Sequence, residues 1–173
     1  MYKLLQLSTY GIKNLENEII ITFSNETIEN GINKLNNIKG IFGYNGSGKS
    51  AIITSIDLYK NIICDSTFLI QNETKDKLNK LINYKKQEFY ISMIYQYQKN
   101  SVLKHYIKIF KNKLTSNYYI SEEGILLSTG RTLSDKYKLL ISKKNEKIIS
   151  DYDNKNNKLD YLSNADLEYT SIM

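Results

Sequence analysis

The sequence predicts an α/β fold, in the form of an α+β lobe, and three observations predict it. A short apolar run at residues 38–42 leads into a glycine-rich loop and then into a helical pattern, which together form a strand–loop–helix unit. Two runs rich in β-branched residues precede this unit, and several runs of alternating polarity follow it. We therefore expect strands on both sides of one central loop and helix.

The strand predictions follow the apolar patterns along the chain. Residues 5–10 predict a first strand, residues 18–23 a second strand antiparallel to it, and residues 38–42 a short buried third strand. Beyond the central helix, an antiparallel segment is predicted at about 88–127. It begins with a hairpin of residues 89–96 and 102–110 and continues with short strands at 118–120 and 125–127. Two further strands are predicted at 137–142 and 147–149.

Two helices are predicted between the third strand and the hairpin. From Lys49, apolar side chains recur at helical spacing and predict an amphipathic helix that ends near Cys64, a residue expected to be buried. A second, short helix is predicted within residues 68–83. The side chains predicted to point inward are Ile52, Ile53, Ile56, Tyr59 and Ile63 on the first helix and Leu78, Leu81 and Ile82 on the second.

Residues 43–50 match the pattern G-x-x-x-x-G-K-[ST], which is typical of phosphate-binding loops. Glycines let successive backbone N–H groups point at phosphate oxygens, and the start of the helix adds a partial positive charge. A lysine at position 49 suits the β- and γ-phosphates, and a hydroxyl at position 50 suits Mg²⁺. We therefore predict a P-loop NTPase that binds a nucleoside triphosphate with Mg²⁺ through Gly43, Asn45, Gly46, Ser47, Gly48, Lys49 and Ser50.

The composition disfavours several other kinds of site and protein. Cys64 is the only cysteine and His105 the only histidine, which disfavours a disulfide framework, a Cys/His zinc site and a Cys–His nucleophile pair. The first residues lack the apolar run of a signal peptide, and no stretch has the ~18 uncharged apolar residues of a membrane span. The expectation is a cytoplasmic protein without membrane contact.

The positive charge is concentrated in one segment. Residues 75–113 hold ten lysines and two acids, a net charge of +8, whereas the whole chain carries +6. Tyr90, Tyr95, Tyr97 and Tyr106 are interleaved with these lysines. Two interpretations stay open: a solvated lysine-rich surface, or a surface that binds nucleic acid without sequence specificity.

Hydrolysis requires a second acidic element, an apolar strand that ends in an acid and holds the Mg²⁺ shell. The only run of three apolar residues followed by an acid is Ile62-Ile63-Cys64-Asp65, which lies at the end of the predicted helix. A GTPase is disfavoured because N-K-x-D occurs at 157–160 without a preceding D-x-x-G. A kinase-like phosphotransferase is a further alternative, and the single arginine, Arg131, disfavours it.

The order of two strands, a third strand and the run G-x-N-G-S-G-K-S resembles the N-terminal lobe of SMC/RecF-like ABC-type ATPases. More narrowly, it resembles the bacterial AAA-family ATPases of the RecF and OLD type, which are often found in phage-defence systems. The resemblance covers residues 1–150, and residues 151–173 are predicted to be a polar linker or the start of a helical region.

The resemblance implies a fold, a cofactor and partners. It implies an ABC-type head with an antiparallel β-subdomain, in which Lys49 and Ser50 bind ATP and Mg²⁺ and Lys13 approaches the nucleotide. A γ-phosphate-sensing glutamine is implied as well, with four candidates: Gln71, Gln87, Gln96 and Gln98. The signature motif, the Asp-Glu pair and the switch histidine belong to a C-terminal lobe, so ATP hydrolysis needs that lobe or a partner. In that family ATP is sandwiched between two heads, which implies a homodimer or a partner lobe. The resemblance also implies a role in antiviral defence or DNA maintenance. A module that binds ATP without hydrolysis, with docking to a partner or to nucleic acid through 75–113, is the alternative.

Overall fold

The structure is a computed structural model that describes residues 3–23, 39–98, 101–129, 132–133, 135–144, 147–150 and 171–172. Within these residues, the chain forms an antiparallel sheet of seven strands and two α-helices, which is an α+β arrangement. Arg131 lies outside the described residues, as do residues 151–170, which include most of the predicted polar linker and the N-K-x-D match. No helix in the described part of the chain is long and apolar enough to cross a membrane.

The strands follow one another across the sheet in the order β2-β1-β3-β4-β5-β6-β7, and each pair of neighbours is antiparallel. The two predicted helices and the antiparallel hairpins are confirmed. The strands are β1 Lys3–Tyr10, β2 Ile19–Thr22, β3 Glu88–Gln98, β4 Ser101–Lys111, β5 Tyr118–Ser128, β6 Lys138–Lys144 and β7 Lys147–Ser150. The helices are α1 Lys49–Cys64 and α2 Asn72–Leu81, with a 3₁₀ turn at Phe68–Ile70 between them.

One face of the sheet and the two helices enclose the main hydrophobic core. Side chains alternate between the two faces of a strand, so every second residue of β3 and β4 faces the helices. Burying these side chains is the main force that holds α1 and α2 on the sheet. The fully buried apolar side chains of this core include Leu7, Ile12, Leu58, Leu78, Phe89, Ile91, Ile107 and Ile109.

Two predicted short strands, 118–120 and 125–127, are one strand in the structure. β5 pairs with β4 from Tyr118 to Ser128, and a register shift at Lys108 and Ile109 of β4 absorbs the irregularity. Polar residues in the middle of β5 interrupt the apolar pattern, which is why the sequence predicts two strands. Pairing with β4 and β6 keeps these polar residues extended, so the strand is continuous.

The prediction for the inward face of α1 is wrong in part. The buried residues are Ala51, Ile52, Ser55, Leu58, Tyr59 and Ile62, whereas the side chain of Ile53 is 61% exposed. Ile52 and Tyr59 are buried as predicted, and Ile56 and Ile63 are partly buried against the core, so the error is confined to Ile53 and to inward positions that were not predicted. Cys64 is exposed, which corrects a second prediction. It lies two residues after Ile62, and two residues turn a helix by about 200°, so Cys64 points away from the core.

The predicted strand before the loop is wrong for the described residues 39–42. These residues form no regular structure and are exposed, and the side chain of Phe42 is 94% exposed. A strand needs a neighbour to satisfy its backbone N–H and C=O groups. In the described part of the chain, no strand pairs with residues 39–42, so their apolar sequence alone does not make them a strand.

Candidate functional site: the phosphate-binding loop and a buried polar cluster

Residues 43–50 connect residues 39–42 to α1 and form the candidate phosphate-binding loop, whose path is set by two glycines. Gly46 and Gly48 have φ angles of 83° and 93°, in the left-handed region that favours glycine. Gly48 is also the residue that immediately precedes the first turn of α1, and its carbonyl oxygen accepts hydrogen bonds from the N–H groups of Ala51 and Ile52. The loop therefore turns directly into the first turn of the helix.

The side chain of Lys49 folds back over the loop. Its Nζ donates hydrogen bonds to the carbonyl oxygen of Gly43 at 2.7 Å and to that of Tyr44 at 2.6 Å. The first turn of α1 contains no acidic residue, and no side chain caps its N-terminus. An ammonium group and uncapped helical N–H groups thus lie together, which is an arrangement suited to an anion.

Ser50 follows Lys49 in the first turn, and its side chain is exposed. A hydroxyl at this place can ligate a hard cation such as Mg²⁺, which prefers oxygen ligands and keeps several waters. Among the described residues, no group of three or more His, Cys, Asp or Glu side chains forms a metal-binding cluster. A cation here would take a protein oxygen from Ser50 and its remaining oxygens from a nucleotide and from water.

The segment between β1 and β2 braces the loop. Asn14 Nδ2 donates a hydrogen bond to the carbonyl oxygen of Gly46, and Leu15 lies so close to Gly48 that a Cβ there would be 2.4 Å from Leu15 Cδ2. Lys13 is exposed, and its backbone is fixed by Leu81 and Asn83. The side chain of this segment that donates a hydrogen bond to the loop is that of Asn14, which the sequence prediction missed because an isolated asparagine carries no motif.

Of the four candidate glutamines, Gln87 lies at the end of the sheet nearest to the loop. It precedes β3 beside Gly11, in the same turn region that holds Lys13. Gln71 is near the opposite end of α1, where it contacts Asp65. Gln96 is buried and pairs with Lys3 and Val102 at the far end of β3. The side chain of Gln98 is not among the side chains that the structure describes.

The lysines of segment 75–113 do not form one surface. Lys77 on α2 pairs with Asp57 of α1 at 3.3 Å, whereas Lys108 lies on the opposite face of the sheet and pairs with Glu88 at 3.1 Å. Other lysines of the segment donate to neutral side chains, as Lys75 does to Asn117 and Lys111 to Asn79. The structure thus distributes this charge over two faces and partly neutralises it.

A second polar site lies inside the protein, between α1 and the sheet. His105 of β4 and Glu123 of β5 are fully buried, and His105 Nε2 is 2.9 Å from Glu123 Oε1. The other ring nitrogen, Nδ1, is 2.6 Å from the hydroxyl of Tyr59 on α1. Lys143 of β6 is buried as well, with its Nζ 3.3 Å from Glu123 Oε2. We call these four residues the buried cluster.

Hydrogen bonds and neighbouring charges determine the ionisation of Glu123 in the buried cluster. Burial raises the pKa of Glu123, but the hydrogen bond from His105, the charge of Lys143 and the hydroxyl of Ser171 outweigh burial and hold this pKa below its ordinary value. An ionised carboxylate only accepts hydrogen bonds, so His105 Nε2 is the donor. Glu123 and Lys143 therefore form a buried ion pair, and Nδ1 of His105 lies in hydrogen-bond contact with the Tyr59 hydroxyl.

Burial also raises the pKa of the Tyr59 hydroxyl, and Tyr95 and Glu123 raise it further, so the phenol keeps its proton. Sequence reasoning missed this cluster. The four residues come from four elements, and Tyr59 and His105 are 46 positions apart along the chain. A lone histidine in an alternating strand gives no signal of such partners.

A scan against protein-family models and a search of the curated proteins both found no match to this chain.

Proposed function

We propose that this chain is an ATP-binding lobe of an SMC/RecF-like ABC-type ATPase, and that residues 43–50 hold the triphosphate with Mg²⁺. The observation that supports it is the geometry of Lys49, whose ammonium group lies over the loop carbonyls at an uncapped helix start. A triphosphate can replace those carbonyls as the partner of the ammonium group, and Ser50 can ligate the cation. Lys13, placed beside the bracing residue Asn14, is the proposed additional contact to the nucleotide.

A partner lobe or a second copy is proposed to complete the site. Exposed apolar side chains flank the loop, namely Ile41, Phe42, Tyr44 and Ile53. Residues 39–42 have the composition of a strand but pair with no strand among the described residues, and a partner would supply both such a neighbour and the carboxylate that the sequence motifs lack. Hydrolysis of ATP is therefore proposed to depend on that partner. Antiviral defence or DNA maintenance is the process that the resemblance suggests.

Equilibrium ATP binding to the whole chain tests the proposal, with Lys49→Ala as the variant. Losing one charge-assisted partner of the phosphates is worth about 1.5–3 kcal/mol, so the dissociation constant should rise roughly 10- to 150-fold. Lys60→Ala is the matched control, because Lys60 is an exposed lysine of the same helix. Equal affinities of wild type and Lys49→Ala would refute ATP binding at this loop.

A separate experiment tests whether Ser50 acts on ATP binding through Mg²⁺. Ser50→Ala should weaken ATP binding in Mg²⁺ and leave the affinity measured in EDTA unchanged, since the hydroxyl acts on the cation. An equal loss in both conditions would show that Ser50 contacts the phosphates or the fold instead.

The second candidate is a nucleotide-dependent interaction module that binds ATP without turning it over. The exposed apolar side chains around the loop favour it, because they suit protein contact whether or not chemistry follows. Docking of nucleic acid through the lysines of 75–113 belongs to this candidate. Steady release of phosphate by the purified chain, abolished in Lys49→Ala, would exclude it.

A further inference from the structure

A continuous series of polar contacts connects α1 with Ser171 and Ile172. It runs from Tyr59 on α1 through His105 to Glu123, with the distances given above. The Ser171 hydroxyl donates to Glu123 Oε1, and the backbone N–H of Ile172 donates to Glu123 Oε2 at 3.0 Å. We call the series Tyr59, His105 and Glu123 the relay. The buried carboxylate of Glu123 thus contacts the sheet through Lys143, α1 through the relay, and Ser171 and Ile172 directly.

We propose that this relay couples nucleotide binding at the loop to the docking of Ser171 and Ile172 on Glu123. The inference rests on the proposed ATP site, because ATP is the ligand that would act on α1. Lys49 and Tyr59 belong to the same helix, ten residues and about 15 Å apart. A rigid helix transmits a displacement of its first turn to Tyr59.

The relay responds to such a displacement because the His105 ring is in contact on both sides, 2.6 Å from the Tyr59 hydroxyl and 2.9 Å from Glu123 Oε1. A shift of Tyr59 therefore changes the position of the ring relative to Glu123. In a buried environment, hydrogen bonds in series also polarise one another. Fixing α1 with a nucleotide therefore strengthens the acceptor that holds Ser171 and Ile172. The effect is reciprocal, so docking of the two residues raises the affinity for ATP.

Amide hydrogen exchange of Ile172 in the full chain, measured by NMR with and without Mg²⁺-ATP, tests the coupling. Saturation with ATP should slow exchange of this N–H at least about fivefold, the lower end of usual coupling between sites. Tyr59→Phe keeps the ring and removes the hydroxyl, so in this variant the slowing should fall below about twofold. Tyr118→Phe is the matched control, since it removes a buried hydroxyl bonded to Asn79, outside the relay.

The amide of Ile91, in the core of β3, reports global unfolding in the same spectra. Slowing of Ile172 beyond that of Ile91, lost in Tyr59→Phe and kept in Tyr118→Phe, supports the relay. Unchanged exchange of Ile172 while ATP binds, or equal slowing in Tyr59→Phe, overturns the relay and leaves the ATP site intact. Absence of ATP binding overturns both proposals.

Discussion

The candidate phosphate-binding loop and the buried cluster are both attached to α1, yet they are built in opposite ways. The loop is exposed, and its lysine contacts backbone carbonyls five and six positions away. The cluster is buried, and its hydrogen bonds join residues 18 and 46 positions apart. The first site depends on local backbone geometry, whereas the second exists only after the sheet and α1 have assembled.

The difference in burial predicts a difference in energetic role. Exposed groups at the loop are solvated in the free protein, so they are available to a ligand and add little to folding. The charges of Glu123 and Lys143 have lost their water, and each depends on the other and on His105. We expect substitutions in the cluster to change the stability of the fold and substitutions of the loop side chains to change ligand binding.

The largest effect is expected from Glu123→Gln. Removing one partner of a buried ion pair leaves Lys143 uncompensated, which costs about 3–5 kcal/mol. For a chain of this length, that corresponds to a fall in melting temperature of roughly 6–20 °C, measured by calorimetry. Glu122→Gln is the control, because Glu122 pairs with the exposed Lys144 and should cost at most about 1 kcal/mol. Similar losses in the two variants would contradict a special role for burial.

The pH dependence of unfolding gives an independent measurement of the same carboxylate. The folded pKa of Glu123 lies below its ordinary value of 4.5. Its contribution is therefore complete above about pH 4.5 and is lost as the pH falls through the folded pKa. The stability difference between wild type and Glu123→Gln should shrink from pH 6 towards pH 3, as followed by urea unfolding. A constant difference over this range would show that folding does not lower the pKa of this carboxyl group.

An intermediate effect is expected at the two left-handed glycines of the loop. Gly46→Ala should cost about 1–2 kcal/mol in the free energy of unfolding from backbone strain alone, because no atom lies within 4 Å of the added Cβ. Gly48→Ala adds the contact with the buried side chain of Leu15, so it should cost about 1–3 kcal/mol more. Urea unfolding of both variants checks the order. Equal costs would mean that Leu15 does not brace the loop.

The same contrast explains what the sequence could predict. The loop, α1 and the hairpin are encoded by neighbouring residues: a motif, a helical period and an alternation. The buried cluster depends on a register that pairs His105 with Ile125 and Lys143 with Glu123, and no local pattern records that register. The strand predicted at 38–42 is absent over the described residues 39–42, and the predicted inward face of α1 is wrong at Ile53. Both errors have a related reason, since apolar composition does not specify which partner an element has. Ile53 and Ile52 are the same residue type, and only the packed structure distinguishes them.

The smallest effect is expected from Ile53→Ser, and it bears directly on the face that the proposed partner would cover. Ile53 is 61% exposed and Ile52 is 5% exposed, on neighbouring positions of the same helix. Ile53→Ser should change the free energy of unfolding by less than about 0.5 kcal/mol, whereas Ile52→Ser removes a buried side chain and should cost about 2–5 kcal/mol. If this face meets a second copy, Ile53→Ser should also weaken ATP-dependent self-association in sedimentation velocity while ATP affinity of the monomer is retained. A loss of stability in Ile53→Ser equal to that of Ile52→Ser would mean that this face is already covered within the chain, and the partner would then have to approach the loop from the side of Phe42 and Tyr44.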